Sequence, residues 1–252
     1  MDTTLGTLVK GLNVLEALAR SGEPRGVTEL AQELGLLKSN VHRLLRTLAA
    51  RGYVRQQGAS GRYFCTLKLW ELGSGLTENI DVVTVARPQL TELARLTNET
   101  IHLSVLDDGE VIYVDKIDSP QPVRAYSRAG GRAPAYCVAT GKALLAHMDG
   151  ARFNPSAGPL QAHTERTITD PAVLDRELRK VRENGYAINR GEWRESVGGV
   201  AAPIFGSHGQ CVAAIGVSGP LERLTMTRLR LLAPHVITAA QTISQGLGAP
   251  RR

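Results

Sequence analysis

Apolar residues at the start of the chain recur with the period of an α-helix. Five of them, spaced three or four positions apart, predict an amphipathic helix over about residues 4–20: Leu5, Leu8, Leu12, Leu15 and Ala19. The run Ser21-Gly22-Glu23-Pro24 ends this helix, because Gly and Pro continue a helix only at a cost.

A short helix and then a longer one are predicted next. Thr28 is expected to cap the short helix, and Gly35 ends it. The longer helix covers about residues 38–51 and ends before Gly52. Its apolar positions follow the helical repeat: Val41, Leu44, Leu45 and Leu48. Its other faces carry basic and polar side chains.

A β-hairpin is predicted after the three helices. The strand-like segments Tyr53-Val54-Arg55 and Arg62-Tyr63-Phe64 flank the turn residues Gly58-Ala59-Ser60-Gly61. The order of helix, short helix, glycine turn, basic helix and basic hairpin predicts a winged helix-turn-helix, which is a DNA-binding unit. We place this unit at residues 5–66 and a linker helix at residues 67–80, with Gly73 and Gly75 as its joint.

Helical and strand patterns alternate in the rest of the chain. Helices are predicted over about residues 82–97, 141–146, 172–184 and 225–247, the second of them capped by Thr140. Strands are predicted in a hairpin around Asp107-Asp108-Gly109, in the run 122–130, and on both sides of the turn 207–209. Hairpins mixed with helices indicate an α+β domain with an antiparallel sheet, which we place at residues 81–250.

Charge separates the two units. The chain of 252 residues has a formal charge of +6, and no acidic residue lies between Glu33 and Glu71. Seven basic residues lie in that stretch: Lys38, Arg43, Arg46, Arg51, Arg55, Arg62 and Lys68. A basic surface concentrated on one small unit favours nucleic acid as its partner.

The longer helix supplies most of the candidate DNA contacts. In a helix-turn-helix the first residues of this helix face base edges, while flanking residues hold phosphates. Arg43 or His42 is expected to donate to guanine, and Lys38 and Ser39 to contact phosphate. The full candidate set is Lys38, Ser39, Asn40, His42, Arg43, Arg46 and, on the hairpin, Arg62.

Three segments of the sequence resemble the IclR family of bacterial transcription regulators. They are VTELAQELGLLKSNVHRLLRTLAARGYV at 27–54, GRAPAYCVATGKALLA at 131–146, and the run from GYAINRGEWRESVGGVAAPIF to AAIGVSGP at 185–220. The resemblance covers about residues 5–248. It implies a homodimer or homotetramer that binds double-stranded operator DNA, with a GAF-like C-terminal domain that binds a small-molecule effector.

The resemblance also implies where the effector binds. The family's pocket positions fall here at Ala139, Thr140, Asn189, Gly199, Gly216 and Ser218. Many members carry Cys where this chain has Gly199, and the smaller residue is expected to leave room in the pocket. RAYSRAGGRAPAYC and GKALLA are similar to the branch that controls sugar-acid and related carboxylate catabolism. A carboxylate would suit the free N–H groups at the start of the helix after Val138.

Other functional classes find less support. Gly141-Lys142 lacks the rest of a phosphate-binding loop, because Tyr136 and Ala143 stand where Gly and Ser or Thr are required. The histidines have no metal-ligand spacing, no GxSxG segment occurs, and Cys137 is expected to be a buried thiol. We therefore predict no catalytic residue, metal or cofactor.

Two further expectations concern location and an alternative function. Three separated cysteines, the absence of an apolar run of about 18 residues, and an N-terminus unlike a signal peptide predict a cytoplasmic protein without a membrane partner. The alternative to a ligand-responsive regulator is a DNA-bound architectural protein whose C-terminal domain serves only for oligomerisation.

Overall fold

The computed structural model describes residues 5–72, 81–148 and 160–250. The chain divides into two compact units, Met1–Asn79 and Ile80–Arg252. The joint expected at Gly73 and Gly75, within the predicted linker helix, lies outside the described residues. Residues 68–72 at the start of that helix are helical.

Three helices build the core of the first unit. They are α1 (Gly6–Ser21), α2 (Val27–Leu34) and α3 (Lys38–Ala50). Val14, Leu30 and Leu45 are fully buried where the three helices meet. Left-handed glycines with φ of 67° and 62°, Gly22 and Gly35, end the first two helices.

One prediction about the first unit needs correction, and the first helix buries a face that its leucine pattern does not mark. The second helix is capped at Gly26 rather than Thr28, and Glu29 accepts a hydrogen bond from the Gly26 N–H at 3.3 Å. Three of the five apolar residues that predict the first helix do not face this unit's core: Leu5, Leu8 and Leu12 are 73%, 59% and 49% exposed, whereas Leu15 packs against it. Val14, Ala17 and Leu18 pack inward instead.

A two-stranded wing completes the first unit. Strands β1 (Val54–Gln57) and β2 (Arg62–Cys65) pair antiparallel, with Val54 opposite Cys65. A bridge between Arg25 and Tyr63 joins the wing to the segment before α2. The winged helix-turn-helix predicted from the sequence is therefore confirmed.

The second unit is built on a six-stranded antiparallel sheet of order β5-β4-β3-β8-β7-β6. The strands are β3 (Thr100–Asp107), β4 (Glu110–Ile117), β5 (Arg132–Pro134), β6 (Ala187–Arg190), β7 (Val197–Phe205) and β8 (Cys211–Pro220). The helices are α4 (Asp81–Thr97), α5 (Ala139–Leu145), α6 (Pro171–Asn184) and α7 (Met226–Gly246).

Helices cover both faces of this sheet. On β7, Val200, Ala202 and Ile204 join the core formed with α4 and α7, whereas Ala201 joins the core that contains residues of α5 and α6. This alternation is the period of two that a strand imposes. The predicted α+β class with an antiparallel sheet is confirmed.

The strand predicted over residues 122–130 is wrong, because these residues are irregular. Pro122 has no N–H to donate to a ladder. Val123 and Tyr126 are 62% and 83% exposed, so the apolar alternation does not mark a buried face. Side chains hold the segment instead: Lys116 Nζ donates to the carbonyl of Ser127 at 2.6 Å.

Candidate DNA interface and ligand cavity

Helix α3 presents a basic and polar face to solvent. Val41 and Leu45 bury the opposite face in the core of the first unit. Of the candidate residues on α3, Asn40 is half-buried and the other five are exposed: Lys38, Ser39, His42, Arg43 and Arg46. Together they can donate hydrogen bonds to base edges and phosphates.

Arg62 differs from the other candidate DNA contacts because its guanidinium is already engaged. Nη2 lies 2.6 Å from Oε1 of Glu29, and Nη1 donates to the carbonyl of Pro24 at 2.9 Å. Arg25 binds the same carboxylate at 3.1 Å and also pairs with Glu33. These contacts hold the wing against α2. Arg55, on the neighbouring strand, is exposed.

All six residues predicted for the effector pocket line one cavity in the second unit. They come from α5, β6, β7 and β8: Ala139, Thr140, Asn189, Gly199, Gly216 and Ser218. The cavity volume is about 40 Å³, which is room for about three water molecules. The family resemblance therefore indicated residues that the fold brings together from positions up to 79 apart.

Thr140 does not cap α5. The helix begins at Ala139, and Val138 is its N-cap residue, without a side-chain hydrogen bond. Thr140 is therefore inside the first turn and buried, with its methyl group near Gly216. Thr140 therefore forms part of the cavity wall and does not cap the helix.

Glycines at the cavity wall bring two strands close together. A Cβ atom at Gly199 would lie 2.6 Å from the carbonyl oxygen of Val217, and one at Gly216 would lie 2.8 Å from Cβ of Ala201. The expectation that Gly199 simply leaves room needs revision. The neighbouring backbone of β8 leaves no space for a side chain at Gly199.

Sequence reasoning missed several cavity residues. They lie on β3, on β4, in the segment before β5 and in the loop 191–196: His102, Tyr113, Ala125, Tyr126, Ser127, Trp193 and Arg194 are among them. Strand register explains the first, because His102 pairs with Gly216 across β3 and β8. A sheet register of this kind joins residues too distant in sequence to be recognised as neighbours.

The described residues lining the cavity include one cation, Arg194, and no carboxylate. The guanidinium of Arg194 lies 4.6 Å from the centre of the Trp193 ring. Burial, together with the charge of Lys116, lowers the pKa of His102 to about 4, so this imidazole is neutral at pH 7. Its Nε2 lies 2.6 Å from the Ser127 hydroxyl. The cavity thus combines one positive charge with neutral polar groups, which suits an anion.

Next to these residues, Lys142 and Glu192 form a buried ion pair with Nζ and Oε1 2.8 Å apart. Burial raises the pKa of Glu192 despite the attraction of Lys142. Burial, followed by the charge of Glu192, raises the pKa of Cys137 to about 12. The Cys137 thiol is therefore protonated at pH 7 and is a poor nucleophile.

A second cavity, of about 340 Å³, lies elsewhere in this unit. Its lining is largely apolar and includes Pro203, Phe205 and Ile237. Its one arginine, Arg182, donates to the carbonyl of Ala146 at 2.9 Å. Because that guanidinium is already engaged, this cavity fits an anionic ligand less well than the first.

The described residues contain neither a metal-binding group nor a membrane-spanning helix. Residues 5–72, 81–148 and 160–250 contain no cluster of three His, Cys, Asp or Glu side chains that could hold a metal ion. Within the same ranges, no helix has the length and apolar character needed to cross a membrane.

Comparisons with known proteins match one known domain to each of the two units. The IclR helix-turn-helix domain matches residues 7–58, and the bacterial transcriptional regulator IclR C-terminal domain matches residues 75–245. The HTH-type transcriptional regulator KdgR of Escherichia coli (strain K12) is 39% identical over 97% of this chain and 94% of its own length. The transcriptional repressor IclR of the same organism is 32% identical over 97% of this chain and 91% of its own length.

A solved structure extends this agreement to three dimensions. The crystal structure of the Thermotoga maritima IclR has a TM-score of 0.82 and 30% identity, and the match covers 97% of this chain and all of that one. Sequence, both domain matches and fold therefore agree. The chain belongs to the IclR family of transcriptional regulators, with an N-terminal helix-turn-helix domain and a C-terminal effector-binding domain.

Proposed function

We propose that this regulator binds operator DNA through α3 and that a small carboxylate in the 40 Å³ cavity controls that binding. One observation carries the proposal. The six expected pocket residues share this cavity with Arg194, and no carboxylate among the described residues lines it. An anion would therefore gain a positive partner without meeting a like charge.

The polar groups of the cavity would recognise the rest of the effector. Ser218 Oγ lies 3.4 Å from the carbonyl of Gly198, which is a long contact and leaves the hydroxyl available. The Asn189 side chain lines the same cavity. A small keto or hydroxy acid of a catabolic pathway has oxygens for both. A sugar acid also has them, but it is larger than three water molecules and would have to widen the cavity.

Operator contact is assigned to the basic face of the first unit. Arg43 and His42 would read bases, while Lys38, Ser39, Asn40 and Arg46 would contact either phosphates or bases. Arg62 would reach DNA only by sharing or leaving Glu29, so its direct contribution would be the smallest of the set. We place the DNA-binding domain at residues 5–66, a linker at 67–80 and the effector domain at 81–250.

The exposed leucines of α1 support a homodimer. Leu5 at the N-cap of α1, together with Leu8 and Leu12, lines a largely apolar groove with Leu44 and Leu48 of α3, and Arg43 is also part of its lining. A second copy of the chain would remove this surface from water. The effector would shift the equilibrium between two arrangements of the dimer, as far as it binds one arrangement better than the other.

A thermal-shift panel tests the proposed effector class. The panel contains pyruvate, lactate, propionate, gluconate and glucuronate, with glucose as the uncharged control. A ligand at one hundred times its dissociation constant stabilises the folded state by about 2.7 kcal/mol. We expect at least one acid to raise Tm by about 5–10 °C and glucose to leave it unchanged. No shift with any acid would favour a C-terminal domain that serves only for oligomerisation.

A further inference from the structure

The ion pair between Lys142 and Glu192 is unusually well buried. Lys142 is 1% exposed and the Glu192 side chain is 10% exposed. A second carboxylate, that of Glu177 on α6, lies 3.7 Å from Lys142 Nζ and is more exposed, at 30%. Burying an ion pair gives little net stability compared with well-packed apolar residues. What the pair holds in place is therefore of more interest than its contribution to stability.

The pair joins two walls of the candidate effector cavity. Lys142 belongs to α5, whose first residues, Ala139 and Thr140, line the cavity. Glu192 belongs to the loop 191–196, which supplies Trp193 and Arg194 to the cavity. A change in the distance between Lys142 and Glu192 would therefore change the distance between these walls.

Further contacts fix the start of the loop. Glu192 Oε1 accepts a second hydrogen bond, from the Arg190 N–H at 3.3 Å, and the Glu192 carbonyl accepts one from Thr167 Oγ1 at 2.6 Å. Gly191 has a φ of 75°, and a Cβ atom there would lie 2.6 Å from the carbonyl oxygen of Glu195. The position of the Glu192 backbone is thus determined from several directions.

This arrangement orients the Asn189 carboxamide. The Glu192 N–H donates to Asn189 Oδ1 at 3.0 Å. Only the oxygen of a carboxamide can accept from an N–H, so the identities of the two terminal atoms follow from this bond. Asn189 is buried, and within the described part of the chain its Nδ2 has no hydrogen-bond partner. Its amide hydrogens are left for the cavity that Asn189 lines.

We propose that Lys142 and Glu192 act as positioning residues that present Asn189 to the cavity as a hydrogen-bond donor, so that the cavity selects an effector with a keto oxygen at that point. The proposal rests on the proposed function, since it assumes that this cavity binds the effector. It goes beyond that function in two ways. It assigns a role to Lys142 and Glu192, which do not line the cavity, and it makes Asn189 the donor in its hydrogen bond with the effector. A site built to donate to an oxygen discriminates against an analogue that lacks it.

Hydrogen exchange tests the positioning without any ligand. In Lys142→Met, the backbone amide at position 192 is expected to exchange at least about tenfold faster than in the wild type, because the loop that carries it is no longer tied to α5. Glu177→Gln is the matched control, since it removes the outer carboxylate and leaves the 2.8 Å pair intact. If Lys142→Met does not fold, Lys142→Met/Glu192→Met removes both charges and takes its place. Unchanged exchange in the variant used would overturn the positioning role.

Calorimetry with pyruvate and propionate tests the selection of an oxygen. The two acids differ in the keto oxygen, and we expect the wild type and Glu177→Gln to bind pyruvate at least about tenfold more tightly. In Lys142→Met/Glu192→Met the ratio is expected to fall below about threefold, with Tm within a few degrees of the wild type. Asn189→Asp, which replaces the donor with an acceptor, should abolish the preference.

The outcomes separate the two proposals. A wild-type ratio near one, or a ratio that the double variant leaves unchanged, would overturn the selection of an oxygen. If neither acid binds the wild type while the thermal-shift panel finds another carboxylate, selection of a keto oxygen fails and the effector class survives. If no carboxylate of the panel binds at all, the effector class fails, and hydrogen exchange still decides the positioning role.

Discussion

His102 illustrates how one buried side chain makes stability depend on pH. Its folded-state pKa of about 4 is below the ordinary value of 6.5, so the unfolded chain binds a proton more readily. The contribution of His102 to the free energy of unfolding is therefore fully present above pH 6.5, and it is lost as the pH falls toward 4. A shift of this size corresponds to about 3 kcal/mol.

Replacing His102 should remove this pH dependence. Between pH 7 and pH 4.5 the wild type is expected to lose about 2–3 kcal/mol more stability than His102→Gln, whose side chain stays neutral and can bind Ser127. Chemical denaturation at both pH values measures the difference, and carboxylates common to both proteins cancel. Equal losses in the two proteins would mean that the pKa of His102 is not lowered in the folded state.

The Ser218 hydroxyl at the cavity makes only a long internal contact, 3.4 Å to the carbonyl of Gly198. Ser218→Ala should raise the effector dissociation constant about ten- to a hundredfold, because a hydrogen bond to a charged group contributes about 1.5–3 kcal/mol. DNA affinity without effector should not change, since Ser218 lies in the other unit. Calorimetry with the strongest acid of the panel checks the first result, and a DNA titration checks the second. Lost DNA binding would mean that Ser218 supports the fold.

The residues of the cavity could be found from the sequence only in part. The resemblance to a family supplied Asn189, Gly199 and Ser218, which periodicity could not have brought together. His102 and Arg194 could not be predicted. Strand pairing brings His102 to the cavity, and an irregular loop brings Arg194 there. Glu29, which neutralises Arg62 from 33 positions away, has no local signal either.

At the scale of the element, α3 and β1 should respond differently to loss of charge. Arg43→Ala is expected to cost about 1–3 kcal/mol on the operator and to relax the preference at one base pair. Arg55→Ala should weaken binding to all sequences alike and reduce the slope of affinity against salt. Titrations on operator and random duplexes at several salt concentrations measure both effects. An equal loss on both duplexes for Arg43→Ala would make it a phosphate contact.

Helices were easier to predict than the irregular segments between strands. The period of 3.6 residues located α3, α6 and α7 within one or two residues, because each buries one face in a core. The run 122–130 shows the limit of this reasoning. Alternating side chains predicted a strand, yet side chains from elsewhere bind its backbone, including Arg223 at the carbonyl of Val123.

At the scale of the whole molecule, the exposed leucines Leu5, Leu8 and Leu12 are expected to contact a second copy of the chain. Sequence periodicity correctly predicted the helix, but a stripe that faces a partner has the same pattern as one that faces the core. Leu8→Glu should therefore leave the fold intact and weaken self-association, because this side chain is 59% exposed in the single chain. Sedimentation equilibrium measures the association, with Leu231→Glu on α7, at 61% exposed, as the matched control. Equal association of both variants and the wild type would exclude α1 from the interface.

The most direct test of a ligand-controlled regulator is an operator titration with and without effector. The duplex is selected from random DNA by the wild-type protein, and the effector is the strongest acid of the thermal-shift panel at saturation. The apparent dissociation constant of the wild type is expected to change about fivefold or more, which is the usual range of coupling between two sites. Ser218→Ala at the same acid concentration should show a smaller change. An identical constant with and without the acid in the wild type would contradict control of DNA binding through the cavity.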